Sequence, residues 1–218
     1  MSRTRASAKA AGTRLGFKPP MRGDEIALGF DGSFNSDATV LIGCRISDGY
    51  VFPIGIWEAP DSKEAKHWSI DHQEVEAVLE ATFKKFKVVA FLADPPLWRD
   101  YVDRWETKFG ADLVVKATEA KPISFETAQH VVMAKVVERT ETAIKSGELT
   151  HGDHKVLTRH VLNAHRWKRS AGDVIGKDRK GSSKKMDAAI GMCLAVEGRA
   201  RYRKQFKPKS MAVPVRVR

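Results

Sequence analysis

The sequence predicts an α/β domain built on a mixed β-sheet of about five main strands flanked by helices, and three observations predict it. Three apolar runs rich in β-branched residues follow one another, separated by the turn-forming Asp31-Gly32-Ser33 and Ser47-Asp48-Gly49, which is the pattern of a meander. A helical stripe, Ile70, Val75, Val78, Leu79 and Phe83, then leads into the continuous apolar run 88–93, the signature of a strand buried on both faces. Beyond that run helical periodicity dominates, so helices must cover a sheet whose strands cannot all be antiparallel.

Taken in order, residues 1–23 are rich in Ser, Ala and Arg, carry Pro19 and Pro20, and read as a basic arm or linker. Ile26, Leu28 and Phe30 alternate as a first strand; residues 38–46 form a second and 50–57 a third. Ser69 is placed to cap the helix that follows. Asp94 ends the strand 88–93, and Pro95-Pro96 open a helix holding Trp98, Tyr101, Val102 and Trp105. Residues 113–115 read as a short strand and 124–145 as a long helix stopped by Gly147. Asp153 can cap a further helix running to His165. Residues 168–181, punctuated by Gly172, Gly176 and Gly181, form a hairpin or mobile loop, 184–201 the last helix, and 203–218 a basic tail. The folded domain is therefore expected over 24–202.

Composition narrows the function. The chain has 218 residues, 42% hydrophobic and 30% charged, which suits one soluble domain with a substantial core. Its longest apolar run has six residues, against the ~20 needed to span a bilayer, so no membrane role is expected. Cys44 and Cys193 are far apart and show no CxxC spacing, which leaves neither a disulfide framework nor a thiolate zinc site and fits a reducing compartment.

Charge is unevenly distributed. Residues 1–23 hold six bases and no acid, residues 166–218 sixteen bases against four acids, and the segment between them sixteen bases against twenty-three acids. Such blocks can be merely solvated surface, yet a basic rim about an acidic centre also suits a protein that grips a phosphate backbone and concentrates carboxylates for divalent cations.

Three acids stand out by position. Asp31 ends the first strand, Asp94 ends the strand after the first helix, and Asp187 lies near the start of the last helix. Each alone can be a turn or cap residue. Strand ends, however, are where open α/β sheets place their sites, and if the two strands are neighbours with the last helix packed over them, the three carboxylates converge. Their mutual repulsion then calls for cations, and oxygen-only ligands favour magnesium or manganese.

Several blocks resemble the nuclease domain of tailed-phage terminase large subunits, especially those of phages infecting actinobacteria. They are Leu28-Gly29-Phe30-Asp31-Gly32-Ser33-Phe34-Asn35-Ser36-Asp37-Ala38-Thr39, Ala93-Asp94-Pro95-Pro96-Leu97-Trp98, Leu149-Thr150-His151-Gly152-Asp153, His160-Val161-Leu162-Asn163-Ala164 and Lys185-Met186-Asp187-Ala188-Ala189, in family order over about 26–200. The resemblance implies a ribonuclease H-like fold and a metal-dependent endonuclease that cuts double-stranded DNA with little sequence preference during genome packaging. Asp31, Asp94 and Asp187 match the family's catalytic, metal-binding triad, two Mg2+ or Mn2+ ions being the implied cofactors, and Asp37 matches an auxiliary acid found near the site in some members. Lys184 and Lys185, just before Asp187, and Lys168, Arg169, Lys177, Arg179 and Lys180 in the Gly-punctuated segment are the bases expected to reach the DNA. A terminase ATPase part, the small subunit and the portal are implied partners, and the cytoplasm of the infected host the implied location.

One departure from the family is informative. A packaging ATPase needs a Gly-x-x-x-x-Gly-Lys-Ser/Thr loop; Gly176-Lys177-Asp178-Arg179-Lys180-Gly181 has the glycine spacing but Ser182 where the lysine should stand. The expectation is a nuclease domain excised, or encoded separately, from its motor. Three other readings remain at this stage: a recombination or junction nuclease of the same fold, a non-catalytic DNA-binding packaging module with tryptophans stacking on bases, and a histidine metal site built from His151, Asp153, His154, His160 and His165.

Overall fold

A computed structural model describes residues 18–33, 37–60 and 68–206. The meander is present as β1 (Glu25–Asp31), β2 (Thr39–Arg45) and β3 (Tyr50–Trp57), each antiparallel to the next. Helix α1 (His72–Lys85) carries the chain across to β4 (Lys87–Ala93), which pairs with β1 in parallel. Helix α2 (Arg99–Phe109), a single 3-10 turn (Gly110–Asp112) and α3 (His130–Lys145) follow. A two-residue β5 (Thr150–His151) joins the far edge parallel to β3, giving a mixed sheet of order β4-β1-β2-β3-β5. Helix α4 (Lys155–Asn163), a hairpin of β6 (His165–Arg169) and β7 (Gly172–Gly176), and α5 (Asp187–Phe206) complete the described chain.

Strand alternation divides the core into two layers. From β1 and β4, Ile26, Leu28, Phe30 and Phe91 enter an aromatic layer with Leu79 of α1 and Val102 and Trp105 of α2. On the opposite face lies α5, apolar on nearly all sides and, apart from the half-buried Ile190, buried from Ala188 to Arg199, as a central helix should be. Its approach to the sheet is close because the contact is made by glycines. A Cβ on Gly29 of β1 would stand 2.0 Å from the backbone oxygen of Gly191, and one on Gly191 would stand 2.9 Å from side-chain carbons of both Val40 and Ile42. Among the described residues no helix is long and apolar enough to cross a membrane.

Several boundaries differ from expectation, each for a local reason. Helix α1 is capped by Asp71, whose Oδ1 accepts from the amides of Gln73 (2.9 Å) and Glu74 (3.3 Å), so Ser69 is not the cap. Residues 113–115 contribute only a bridge, Val115 to Ala90, and 124–129 are not helical: Phe125 donates its amide to Ala93, and a second bridge joins Ser124 to Ala93. His154, not Asp153, caps α4, and α4 ends at Asn163, leaving His165 to β6. The segment 168–181 is largely the hairpin, anchored on α3 by buried Val174. Helix α5 starts at Asp187 and continues to Phe206, so Lys184 and Lys185 precede the helix and the expected tail begins helically. Residues 1–17 of the expected arm (1–23) and 207–218 of the expected tail (203–218) lie outside the described residues.

Candidate metal centre

Two of the three acids are placed by the parallel pair. Phe30 and Ala93 are register partners, and the amide of Asp94 donates to the carbonyl of Phe30 at 3.0 Å, so Asp31 and Asp94 leave neighbouring strand ends together. Alternation sends both to the α5 side, because Asp31 follows Gly29 by two positions and Asp94 follows Leu92 by two. Asp187 is the first residue of α5, and its Oδ2 accepts from the amide of Ala38 at 3.2 Å. The amide of Thr127 donates to Asp94 Oδ1 at 3.0 Å and its hydroxyl to Oδ2 at 2.6 Å, which fixes the carboxylate plane. That task explains why 124–129 is not helix.

The electrostatics are those of acids crowded without enough positive charge. Burial, then the carboxylates of Asp187, Asp94 and Asp37, push Asp31 well above the ordinary range. Asp94 is raised by burial against the lowering effect of Thr127, and Asp187 by burial and by Asp37. Lys177, from just beyond β7, pairs with Asp37. Among the described residues no three or more His, Cys, Asp or Glu side chains are arranged to hold a metal ion as they stand. The donor set is oxygen throughout, its pKa values raised first by burial and then by neighbouring carboxylates, and such a set fits hard divalent cations.

The model of one family, described as terminase large subunit, endonuclease domain, matches residues 57–203. The chain belongs to that family. It is 39% identical over 196 residues to the Gene 13 protein of Mycobacterium phage L5, an alignment covering 89% of this chain and 32% of that protein. The chain thus spans about a third of the length of this mycobacteriophage relative. The HK97 bacteriophage large terminase superposes with a TM-score of 0.56 at 22% identity, covering 88% of this chain and 42% of that one. The large terminase nuclease of thermophilic phage G20c, solved with bound magnesium, gives 0.55 at 13% identity, covering 83% and 89%. At these identities the two structures speak for the fold, which is the expected ribonuclease H-like one.

The bases expected to meet DNA are dispersed about this terminase nuclease domain. Lys168, Arg169, Arg179 and Lys180 are exposed on or just beyond the hairpin. Lys184 pairs with Asp178, and Lys177 is engaged with Asp37. Lys185 is held through its backbone, its carbonyl accepting from Asn163 Nδ2 at 3.0 Å. The histidines do not assemble a metal site: His151, His154 and His165 are exposed, whereas His160 is fully buried with both ring nitrogens occupied. Trp98 and Trp105 are core, Trp57 Nε1 donates to Glu74, and Trp167 on the hairpin is 38% exposed. Sequence reasoning missed Thr127 and Glu58. Nothing local marks either one, since each acts on a partner more than thirty residues away.

Proposed function

We propose that the chain is the nuclease part of a phage DNA-packaging machine and hydrolyses phosphodiesters of double-stranded DNA with little sequence preference, using two divalent cations. The observation that supports this reading is the placement of Asp31 and Asp94 on adjacent parallel strand ends, with Asp187 at the start of the helix packed on those strands and the carboxylates of Asp187 and Asp94 both bearing on Asp31. Asp31, Asp94 and Asp187 are the residues to hold the cations, with Asp37 as an auxiliary acid. Bound Mg2+ or Mn2+ supplies an activated water and offsets charge on the phosphate and the departing 3′ oxygen.

The chain's own residues do the rest. Thr127 orients Asp94, the Ala38 amide orients Asp187, and the repulsion felt by Asp31 is released when cations are taken up, which drives their binding. Lys168, Arg169, Lys177, Arg179, Lys180, Lys184 and Lys185 hold the DNA by its backbone, a mode of contact that positions without reading sequence. An ATPase part of the large subunit, the small subunit and the portal are the partners, in the cytoplasm of the infected cell.

Digestion of supercoiled plasmid by the purified chain in Mg2+, Mn2+ or EDTA tests the reading. Nicked and linear products are expected with either ion and none in EDTA. Cutting in EDTA, or undiminished cutting by Asp94→Asn, overturns it.

A further inference from the structure

Just before and just after Asp187, two side chains of one helix hold the backbone. His160 and Asn163 are three residues apart and therefore share a face of α4. Asn163 Nδ2 donates to the carbonyl of Lys185, two residues before Asp187, and the amide of Ala188, one residue after it, donates to His160 Nδ1 at 3.1 Å. That amide is one of the donors a helix N-terminus leaves without an intrahelical acceptor. The usual partner is a Ser, Thr, Asp or Asn at the cap position. Here the acceptor arrives from another helix.

The choice of imidazole has a physical reason. An aspartate cap would add negative charge beside Asp187, Asp31 and Asp37, where burial and repulsion already oppose ionisation. A neutral imidazole satisfies the amide without that charge. Because Nδ1 accepts, the ring proton sits on Nε2, which donates to Glu58 Oε2 at 3.1 Å. Arg159 Nη2 lies 3.4 Å from the same nitrogen but has no acceptor to offer it, and the guanidinium pairs instead with Glu58, balancing its charge. The imidazole is completely enclosed, so its orientation is fixed.

We infer that Glu58, His160 and Asn163 form a positioning clamp that sets Asp187 for metal binding: α4 fixes the backbone on either side of the acid while Glu58 fixes the ring. The inference rests on the proposed nuclease reading for its consequence, but its geometry is independent of it. His160 is a positioning residue, since it touches Asp187's neighbour and not the substrate.

Paired isosteres separate a clamp from simple packing. His160→Asn keeps an acceptor at the Nδ1 position and gives up Glu58; His160→Gln keeps a donor toward Glu58 and gives up Ala188. Mn2+ binding to the whole chain without DNA is measured by calorimetry, and plasmid cutting is measured across Mn2+ concentrations. H160Q should weaken Mn2+ binding about 10-fold or more, the usual cost of losing a group that orients a ligand. H160N, which keeps the acceptor for Ala188 but loses Glu58, should weaken it less than H160Q, and DNA retention in EDTA should be the same for all. Imidazole nitrogen NMR of the wild type should show His160 protonated on Nε2. Asn163→Leu, which leaves His160 in place, should weaken Mn2+ binding as well. Equal behaviour of H160Q and H160N, wild-type Mn2+ binding in folded N163L, or protonation on Nδ1 overturns the clamp. Failure of the wild type to cut DNA overturns the nuclease reading instead, and the calorimetric ranking still decides the clamp.

Discussion

Strands β1 and β4 present two unlike faces to two unlike layers. Toward α1 and α2 they contribute Leu28, Phe30 and Phe91, and Phe30 meets Trp98 and Trp105 edge-on at 5.1 and 5.0 Å. Toward α5 the contacts are Gly29 on Gly191 and Ala27 and Ala90 beside Gly198, ending in Asp31, Asp94 and Asp187. Large rings bury much apolar area and tolerate some adjustment; small residues bury less but admit a helix at a distance that cannot be altered without moving backbone. One face holds the sheet together, and the other sets where a carboxylate stands. Stability and activity should therefore respond to different substitutions in the same two strands.

The largest expected effect is on chemistry. Asp31→Asn should lower plasmid cleavage by ~100-fold or more, the scale of removing one group that stabilises transition-state charge. Circular dichroism should show the fold intact. Loss of folding would mean that the acid side also carries stability and that the two faces are not distinct.

Next comes the aromatic face. Trp105→Ala should cost ~3–5 kcal/mol of stability in denaturant titrations, as truncations of buried aromatic rings do. Cleavage per folded molecule should change little at a temperature where the variant remains native. Gly29→Ala tests the opposite face: the added methyl meets the backbone oxygen of Gly191, so α5 must shift. A cost of ~1–3 kcal/mol is expected from overpacking, together with a disproportionate loss of cleavage because Asp187 moves with its helix. Equal loss of activity in the two variants at matched stability would erase the distinction.

The acids also predict an unusual response to pH. Their folded pKa values lie above those of the unfolded chain, so between the ordinary carboxylate range and the raised values the native state binds more protons than the unfolded one. In EDTA their contribution to stability is therefore greatest at low pH and falls as pH rises through that window. Melting curves should show Asp31→Asn more stable than wild type at neutral pH, with each kcal/mol worth about 2–4 °C. Added Mn2+ should reverse the order. A wild type more stable than Asp31→Asn in EDTA would contradict the assigned cost of burying the Asp31 charge beside other carboxylates.

The smallest effect belongs to the hairpin. Neutralising Lys168, Arg169, Lys177, Arg179 and Lys180 should flatten the salt dependence of DNA binding, each lost phosphate contact removing ~0.9 from the log-log slope. Fold stability should change little, because ion pairs of partly exposed lysines contribute ~0–1 kcal/mol. An unchanged slope would remove the hairpin from the DNA path.

Much of this was legible in the chain itself. The meander, the buried strand 88–93 and the positions of Asp31 and Asp94 follow from period-two alternation and from turn residues, which are local and act through neighbours in sequence. Alternation also determines that both acids share a face once the strands are known to pair in parallel. That pairing was a condition the sequence could pose but not settle. Tertiary structure decided the start of α5 at Asp187, the use of 124–127 to pair beside the end of β4 and hold Asp94, and the grip of His160, Asn163 and Glu58 on the last helix. Each depends on one polar group finding another across the fold: the Thr127 hydroxyl reaches Asp94 across 33 positions and His160 reaches Glu58 across 102. Hydrogen bonds at that separation leave no period in the sequence, because any chain path that delivers the two groups to the same place serves equally well.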